Sequence, residues 1–326
     1  MSQLVTIFGG SGFVGRYIAR RMAKAGWRVR VAVRNPNEAL FVKPYGAVGQ
    51  VEPIFCNIRD DASVANALAG ADAAVNCVGT FDKNGRNNFE AVQAEAPGRI
   101  ARLAADAGLR RLIHISAIGA DADSDSEYAR TKAEGEANVL AHMPEAVILR
   151  PSIMFGQEDG FFNRFASMSR FGPVLPVVGA ETRFQPVFVD DVAAAVEASV
   201  LGNNSGVYEL GGPDVETFRT LMEDMLDIVR RRRLILNIPF WAARIMAPCF
   251  SAAQFLSLGI VKAPITSDQV ASLQYDNVVT EGAKGLADLG IRPTAMGAIL
   301  PDYLWRYRPS GQFDAIKESA KNLRNT

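Results

Sequence analysis

The glycine-rich turn Gly9-Gly10-Ser11-Gly12-Phe13-Val14-Gly15 constrains what this chain can fold into more than any other stretch. It follows an apolar run with β-branched residues, Leu4 to Phe8, and it leads into Tyr17 to Ala23, which has the apolar spacing of a helix. A strand, a glycine-rich turn and a helix in this order are the context that a dinucleotide fingerprint needs. The stretch predicts a nucleotide site, although a tight turn that binds nothing would need similar glycines.

The three glycines of this fingerprint have different tasks. Gly9 allows a sharp turn, Gly12 allows a pyrophosphate to approach the backbone, and Gly15 allows the helix to pack closely on the strand. The first turn of the helix offers unpaired N–H groups and the positive end of a dipole to an anion. We therefore expect the phosphates of the nucleotide to bind along this turn.

The end of the second predicted strand, Arg28 to Val33, indicates which dinucleotide binds. In an NAD-binding site an Asp or Glu near this end would accept a hydrogen bond from the ribose 2′-hydroxyl. Arg34 stands there instead, and Arg16 follows the glycine turn. Two guanidinium groups suit a 2′-phosphate, so the pattern favours NADPH over NADH. The alternative is that both arginines are merely solvated.

Strands and helices alternate along the first half of the chain. Further apolar strands are predicted at residues 51–56, 73–79, 111–116 and 146–153. This alternation predicts an α/β fold with a doubly wound parallel sheet of Rossmann type. We expect an NADP-binding domain over residues 1–155 and a smaller C-terminal α/β domain over residues 156–326, interleaved with the first.

Two helices are predicted outside the regular alternation. A long helix is expected over residues 89–107, where Pro97 would introduce a kink. A short final helix is expected over residues 313–323.

Tyr128 and Lys132 stand four residues apart after the fifth predicted strand, so they share one face of a helix. A lysine ammonium near a phenol lowers the pKa of the phenol and can also hold a ribose hydroxyl. Together with the glycine fingerprint, this pair resembles the Tyr-x-x-x-Lys motif of the short-chain dehydrogenase/reductase superfamily. The resemblance implies a catalytic serine, for which Ser116 is preferred over Ser124 and Ser126.

The ends of the other predicted strands supply further candidate contacts with the cofactor. Asn57 or Ile58 would flank the adenine, Gly79 would lie where the backbone passes close to the cofactor, and the loop after the sixth strand would pass the nicotinamide. The residues expected to bind NADPH are Gly9, Ser11, Gly12, Phe13, Val14, Gly15, Arg16, Arg34, Asn57, Ile58, Cys77, Val78, Gly79, Tyr128, Lys132, Pro151 and Ile153.

The overall charge argues against broad electrostatic binding to nucleic acid. The 326 residues include 35 basic and 35 acidic side chains, which gives a formal net charge of zero. Cys56, Cys77 and Cys249 are odd in number and lack metal-type spacing, so we expect a reducing compartment and no metal site. Because the first strand begins at residue 4, we expect no signal or transit peptide.

Four other stretches narrow the resemblance. They are PSIMFGQEDGFFNRFASMSRFGP, QPVFVDDVA, YARTKAEGE and SDQVASLQYDNVV. Nearly the whole chain is similar to one atypical branch of the extended superfamily, the nucleotide-binding accessory subunits of respiratory complex I (NADH:ubiquinone oxidoreductase, alpha subcomplex subunit 9). The resemblance implies a tightly held NADPH without known turnover, contacts with other subunits of complex I, and docking on the peripheral arm near the membrane. Mitochondrial members carry a presequence, and none is expected here. The expectation is therefore a bacterial form, peripheral at the cytoplasmic face of the inner membrane.

An apolar segment in the second half bears on that docking. Between Phe240 and Val261 the only charged residue is Arg244, whereas Arg230-Arg231-Arg232-Arg233 precedes the segment and Lys262 follows it. Pro248 and scattered polar residues argue against a membrane span. Basic residues around an apolar segment suit an interfacial helix, so we expect residues 240–262 to contact a membrane surface or a partner. The alternative is that the segment completes the second domain.

Three functions remain open from the sequence. The first, which the resemblance favours, is a structural subunit of complex I that locks NADPH in place, with Tyr128, Lys132 and Ser116 binding rather than reacting. The second is an active NADP-dependent reductase or epimerase, in which Tyr128 moves a proton and Lys132 holds the ribose. The third is a redox sensor that changes partner with the state of NADP(H).

Overall fold

A computed structural model describes residues 2–80, 85–256, 266–309 and 311. The chain forms two compact units. The first contains Met1–Ser152, Val189–Gly211 and Val279–Pro293, and the second contains Ile153–Phe188, Gly212–Val278 and Thr294–Thr326. The first segment of the first unit ends at Ser152, whereas the sequence predicts the domain boundary after residue 155. Two later segments of the chain also belong to the first unit.

The strands and helices alternate in the first unit and are shorter and more mixed in the second. The strands are β1 (Leu4–Phe8), β2 (Arg28–Val33), β3 (Val51–Phe55), β4 (Ala73–Asn76), β5 (Arg111–Ile115), β6 (Val147–Pro151), β7 (Met154–Phe155), β8 (Val174–Val178), β9 (Arg183–Phe184), β10 (Val187–Phe188), β11 (Gly206–Leu210), β12 (Glu216–Thr217) and β13 (Leu234–Ile238). The α-helices are α1 (Phe13–Lys24), α2 (Asp61–Leu68), α3 (Ala96–Asp106), α4 (Glu127–His142), α5 (Phe162–Met168), α6 (Val189–Leu201), α7 (Phe218–Ile228), α8 (Phe240–Leu256), α9 (Ser267–Ser272) and α10 (Met296–Leu304).

Seven parallel strands form the sheet of the first unit, in the order β3-β2-β1-β4-β5-β6-β11. Val29, Val31 and Val33 illustrate why these segments become strands, since they are β-branched and buried. The strand order reverses between β1 and β4, and ligands of open α/β sheets bind outside the carboxyl ends of the strands at such a switch point. This sheet confirms the doubly wound α/β fold that the sequence predicts.

The helices of the first unit pack in two groups. Helix α1 packs on α6, and α3 packs on both α2 and α4. Arg21 joins α1 to α6 through ion pairs with Asp190 at 2.7 Å and Glu197 at 3.0 Å. The parallel strands are therefore covered by helices, which explains their nearly continuous apolar sequences.

The predicted helix over residues 89–107 changes its hydrogen bonding partway along. Residues Glu90–Glu95 form a π-helical turn, and α3 then begins at Ala96 with Pro97 in its first turn. Proline lacks an N–H group, so it cannot donate to the carbonyl four residues earlier, that of Gln93. A Cβ atom on Gly135 of α4 would lie 2.0 Å from this Gln93 oxygen, so the two helices approach closely there.

The second unit has three two-stranded sheets, β10-β7, β12-β9 and β13-β8, among its helices. Phenylalanine rings dominate its core: Phe161 lies 5.1 Å from Phe162 and 5.5 Å from Phe218 between ring centroids. Thr217 caps α7 by accepting a hydrogen bond from the Thr220 N–H at 3.1 Å, which the sequence also indicates. The core of this unit is therefore aromatic and locally well specified.

Two sequence predictions concern the remaining segments. The predicted helix over residues 313–323 lies outside the described residues, as does the part of the apolar segment after residue 256. Within residues 2–80, 85–256 and 266–309, none of the helices combines the length and the apolar character that crossing a bilayer demands.

Candidate nucleotide site

The glycine turn joins β1 to α1 at the carboxyl edge of the parallel sheet. Gly9 has a φ of +75°, a left-handed conformation that glycine adopts without strain. A Cβ atom on Gly15 would lie 2.4 Å from the Gly9 carbonyl oxygen, so a larger residue would push the helix away from the turn. The two glycines therefore allow the close packing of turn and helix.

The first turn of α1 offers its backbone to an anion. The helix begins at Phe13 with Gly12 as N-cap, so no side chain caps it, and its first turn contains no acidic residue. Gly12 is exposed and Ser11 is half-buried. The N–H groups at the start of this helix, including those of Phe13 and Val14, have the chemistry of a phosphate site.

The two arginines of the predicted 2′-phosphate site belong to the same edge of the sheet. Arg16 donates from Nε and Nη2 to the carbonyl oxygens of Gly12 and Ser11, at 3.3 and 3.2 Å. Arg34 is exposed and follows β2 directly. The end of β2 adjoins the glycine turn, since the Gly9 N–H donates to the Ala32 carbonyl at 3.0 Å.

The segment after β4 also reaches the glycine turn. A Cβ atom on Gly9 would lie 3.1 Å from Cγ2 of Val78, and the Val78 N–H donates to Oδ1 of Asn76 at 3.1 Å. Gly79 is exposed, and Nζ of Lys132 would lie 3.9 Å from a Cβ atom built on it. The structure thus brings β1, β4 and the helix of the tyrosine–lysine pair together.

Cys77 belongs to this segment and is chemically quiet. Burial raises the pKa of its thiol to about 12, against the opposing effect of the Lys132 charge. A thiol in this state holds its proton at physiological pH and is a poor nucleophile. Its position therefore suits contact with a ligand better than reaction.

Asn57 and Ile58 lie in a local turn after β3. Oδ1 of Asn57 accepts a hydrogen bond from the Arg59 N–H at 3.2 Å, and the Asn57 N–H donates to Oγ of Ser63 at 2.9 Å. The Ile58 side chain is partly buried and packs on the core of the first unit. Both residues are thus fixed at the end of β3, where the sequence prediction puts the adenine.

Lys132 is buried, although its charge would be more stable in water. Its Nζ donates to the Ile115 carbonyl at 3.2 Å and lies 5.9 Å from the centroid of the Tyr128 ring. Burial lowers the pKa of Lys132 to about 8, while the charge of Glu136 opposes the shift. The lysine therefore holds its ammonium near the tyrosine with a proton that it can lose close to neutral pH.

The three candidate serines have different surroundings. Ser126 caps α4 by accepting a hydrogen bond from the Ala129 N–H at 3.3 Å, and Oγ of Ser124 accepts from the Ser126 N–H at 3.2 Å. Ser116 is buried at the end of β5, and its Oγ has no hydrogen-bond partner among the described residues. Only Ser116 therefore has a hydroxyl for which the described part of the fold offers no partner.

Two residues that the sequence analysis did not single out hold the tyrosine–lysine helix. Phe89 is buried and packs edge-on against Tyr128, with 5.9 Å between ring centroids. Gln93 is 1% exposed, donates from Nε2 to the Thr80 carbonyl at 2.5 Å, and accepts at Oε1 from Oγ1 of Thr131 at 3.5 Å. The signal in the sequence is a glutamine among the apolar positions of a predicted helix, where a buried polar side chain needs partners.

Pro151 and Ile153 separate at the end of β6. Pro151 is buried, and its carbonyl accepts a hydrogen bond from the Ile118 N–H at 3.0 Å within the first unit. Ile153 belongs to the second unit, where its N–H donates to Oδ1 of Asn277 at 3.2 Å. Pro151 is therefore part of the sheet edge, and Ile153 is held by the second unit.

His114 is a packing residue of the sheet. Its Nδ1 lies 3.1 Å from Nδ2 of Asn76, and burial lowers its pKa to about 3 with a smaller effect from the Lys132 charge. The imidazole is therefore neutral at physiological pH. Among the residues that the structure describes, no group of three or more His, Cys, Asp or Glu side chains could hold a metal ion.

The stretches that carry the narrower resemblance build the second unit. Asp159 of the run FGQEDGFFNRF is buried and accepts hydrogen bonds from the Asn163 N–H at 3.0 Å and from the Tyr303 hydroxyl. Asp276 of the run QYDNVV forms an ion pair with Arg183 at 2.8 Å. These contacts fix the local fold of the second unit.

A family model supports the nucleotide fold. Residues 5–211 match the NAD dependent epimerase/dehydratase family. A solved structure of similar fold is the dTDP-glucose 4,6-dehydratase DesIV of Streptomyces venezuelae with NAD bound. It has a TM-score of 0.71 and 18% identity, covering 96% of this chain and 99% of DesIV.

Curated relatives extend over nearly the whole chain. The chain is 34% identical over 320 residues to the mitochondrial NADH dehydrogenase (ubiquinone) 1 alpha subcomplex subunit 9 of Arabidopsis thaliana, covering 94% of this chain and 79% of that protein. It is 31% identical to the mitochondrial NADH-ubiquinone oxidoreductase 40 kDa subunit of Neurospora crassa, covering 98% and 83%. It is also 29% identical over 238 residues to a ceramide reductase of Caulobacter vibrioides, covering 72% and 74%.

Proposed function

Because the chain belongs to the NAD dependent epimerase/dehydratase family and to the family of the alpha subcomplex subunit 9 proteins, we propose that it is an accessory subunit of respiratory complex I. In this role it holds NADPH tightly and does not turn it over. Two relatives bear names of NADH:ubiquinone oxidoreductase subunits. The partners are then other subunits of that complex.

The unpartnered Ser116 hydroxyl carries the nucleotide part of this proposal. A buried hydroxyl without a partner is uncommon in a folded protein, and it indicates a ligand that completes the site. Ser116 is buried at the end of β5, next to Ile115, whose carbonyl accepts a hydrogen bond from Nζ of Lys132 on α4 at 3.2 Å. The residues present fit a dinucleotide.

The chain's own residues would hold each part of NADPH. The α1 N-terminus would bind the pyrophosphate, Arg16 and Arg34 would bind the 2′-phosphate, and Lys132 would donate to the ribose hydroxyls of the nicotinamide end. When bound, NADPH supplies a hydride donor. In a structural role Tyr128 and Ser116 act as binding groups beside it.

The second unit supplies the surface that would dock on the complex. Leu234 and Leu236 of β13 are 66% and 51% exposed, and Trp241 and Ile245 of α8 are 69% and 63% exposed. Exposed apolar side chains at this density are typical of contact surfaces. They support the proposal that residues 240–262 contact a partner or the membrane surface.

Some of the arginines beside this surface are held by hydrogen bonds within the second unit, and another is exposed to solvent. Arg231 and Arg233 donate to the carbonyl oxygens of Tyr307 and Ser169 at 2.9 and 2.7 Å, whereas Arg232 is exposed. A positive charge next to exposed apolar groups suits anionic lipid or an acidic partner. By the resemblance of its sequence we further propose a bacterial protein, peripheral at the cytoplasmic face of the inner membrane.

Replacement of Tyr128 tests the structural role. Tyr128→Phe keeps the aromatic ring but removes the phenol hydroxyl, which is the group that would transfer a proton in catalysis. We expect NADH:quinone oxidoreductase activity of the membranes and NADPH retention to remain near the unmodified level. A loss of NADP-linked turnover with assembly intact would contradict the structural role.

An NADP-dependent reductase is the second candidate, and the position of Lys132 Nζ, 5.9 Å from the centroid of the Tyr128 ring, favours it. In that reaction Lys132 would hold the ribose and Tyr128 would donate a proton to a substrate oxygen. The named activity of the Caulobacter relative is a reduction. Activity would fall as the pH rises through about 8, because the lysine then loses its charge. A flat pH profile of turnover across this range would dispose of this candidate.

A further inference from the structure

Arg16 makes a second kind of contact besides its hydrogen bonds to the glycine turn. Its guanidinium carbon lies 4.9 Å from the centroid of the Phe41 ring. Phe41 belongs to the 3₁₀-helical segment Pro36–Tyr45, which begins two residues after Arg34. This segment therefore carries an aromatic ring from the end of β2 to the arginine of α1.

Stacking and hydrogen bonding by a guanidinium group are compatible. The Phe41 ring lies 4.9 Å from the guanidinium carbon, whereas the hydrogen bonds to Gly12 and Ser11 leave from Nε and Nη2, so the group can make both kinds of contact. A long arginine side chain with only edge contacts can adopt several rotamers. The ring restricts this freedom and keeps the positive charge beside the glycine turn.

A second pair of the same kind lies one helical turn further along α1. Arg20 lies 4.9 Å from the centroid of the Tyr45 ring and 5.5 Å from that of Tyr17. The Phe41 and Tyr45 rings contact each other at 6.5 Å between centroids. Among the described residues Arg20 makes no hydrogen bond to the glycine turn, so this pair serves as a comparison for Arg16 and Phe41.

The local charges are consistent with an anion site. Arg16 and Arg34 supply the positive charge at the ends of the turn and of β2. The acidic residue of the segment, Glu38, accepts a hydrogen bond from Nδ2 of Asn35 at 2.7 Å. The Glu38 carboxylate is thereby paired with the residue that immediately precedes its segment.

We propose that Phe41 is a positioning residue that strengthens the preference for NADPH over NADH. It holds the Arg16 guanidinium in place for the 2′-phosphate, the group that distinguishes the two nucleotides. The ring itself does not contact the phosphate in this account. This inference rests on the NADPH binding proposed above.

The test compares dissociation constants of NADPH and NADH for the full-length chain, measured by fluorescence titration at low ionic strength. We expect Phe41→Leu to raise the NADPH constant about two- to fivefold and to leave the NADH constant unchanged, the size of an exposed cation–π contact. Phe41→Tyr keeps the ring and should restore the unmodified value. Tyr45→Leu removes the ring that Arg20 contacts and that also touches Phe41, so it should change the NADPH constant less than Phe41→Leu does.

Arg34→Ala separates failure of the inference from failure of the proposed function. If the unmodified chain prefers NADPH and Arg34→Ala removes that preference, the 2′-phosphate site is in place. Equal effects of Phe41→Leu on both nucleotides, or no effect on either, would then overturn the role of Phe41 alone. If the unmodified chain shows no preference and Arg34→Ala changes nothing, the NADPH proposal fails and the inference fails with it.

Discussion

The two units of this chain differ in which groups are unusually placed: among the described residues, the first unit buries polar atoms without partners, and the second unit exposes large apolar side chains. In the described parts of the chain, the buried side-chain polar atoms without partners are Arg59 Nε, His114 Nε2 and Ser116 Oγ, and all belong to the first unit. Among the residues that the structure describes, ten of the fifteen exposed large apolar side chains belong to the second unit. Trp241 at 69% and Phe171 at 75% exposure are examples.

This difference indicates which task each unit has. The unpartnered Ser116 hydroxyl loses hydration without compensation, and a ligand bound beside it would restore a hydrogen bond. An exposed apolar group loses nothing by folding but gains by association with another apolar surface. The first unit thus has the properties of a binding site, and the second has those of a docking surface.

The largest expected effect is the loss of NADPH affinity when the glycine turn of the first unit is disturbed by Gly15→Ala. Gly15→Ala would place a Cβ atom 2.4 Å from the Gly9 oxygen and 2.7 Å from the Gly10 Cα, so turn and helix must move apart. We expect NADPH affinity to fall by more than about 100-fold, because the α1 N-terminus loses its alignment with the phosphates. Isothermal titration of the full chain measures this.

Gly297→Ala is the matched control in the second unit. No atom lies within 4 Å of a Cβ built on Gly297, which is in α10. The substitution should leave NADPH affinity unchanged and stabilise the helix by up to about 1 kcal/mol. If Gly15→Ala bound NADPH normally, the first unit would not be the binding unit.

Removing the Tyr303 hydroxyl tests the buried polar pair of the second unit, which is fully partnered. Burial raises the pKa of Asp159, and the hydrogen bond from Tyr303 opposes that shift. Tyr303→Phe should cost about 1–3 kcal/mol of unfolding free energy at neutral pH, since an ionised buried carboxylate loses a donor. Urea unfolding measures the cost, and nucleotide affinity should not change.

The pH dependence gives this prediction its sign. Because the folded-state pKa of Asp159 lies above the ordinary value of 3.8, the folded state binds more protons, and stability falls as the pH rises through the raised pKa. Tyr303→Phe raises this pKa further, so the cost should be small in acid and grow towards neutral pH. A cost that is independent of pH would show that Asp159 does not titrate with the pair.

An exposed apolar residue of the second unit tests docking. Trp241→Ser should weaken association with respiratory membranes roughly tenfold, the loss expected for a central aromatic contact. Leu201→Ser is the control, since Leu201 is 55% exposed but belongs to the first unit. Sedimentation with membranes measures both. Equal losses for the two variants would remove the distinction between the units.

The smallest expected effect concerns Gln93 in the first unit. Gln93→Leu keeps the shape but removes the hydrogen bonds to Thr80 and Thr131, so the segment after Gly79 should loosen. We expect NADPH to dissociate roughly fivefold faster in stopped-flow displacement. Asn138→Leu removes a comparable bond from α4, to the Ala94 carbonyl at 3.1 Å, and should leave the rate unchanged. Equal rates for both variants would make Gln93 a structural residue only.

The fold could be predicted because its determinants are local. Apolar runs with β-branched residues predict the strands around Val29 and Val75, and the glycines predict the turn at Gly9. The spacing of Tyr128 and Lys132 likewise predicts that both lie on α4. The end of the fourth strand is less well predicted: the sequence places it at residue 79, whereas the strand ends at Asn76, whose side chain accepts a hydrogen bond from the Val78 N–H.

The supporting contacts could not be predicted because they join distant parts of the chain. Asp159 and Tyr303 are separated by 144 positions, and nothing in either local sequence identifies the other. Phe41 reaches Arg16 only because β2 places its segment beside α1. The choice of Ser116 over Ser124 and Ser126 depends on hydrogen bonds that spacing cannot reveal.

The central claim is that this chain holds NADPH as a fixed component of a respiratory assembly. The most direct test resolves mildly solubilised membranes on a native gel, stains for NADH dehydrogenase activity, and analyses the nucleotide released from the band that contains this chain. The account predicts that the chain migrates with the active NADH:ubiquinone oxidoreductase band and that this band releases one NADPH per copy of the chain. A chain that runs alone, exchanges its nucleotide freely and oxidises NADPH with an added carbonyl substrate would contradict it.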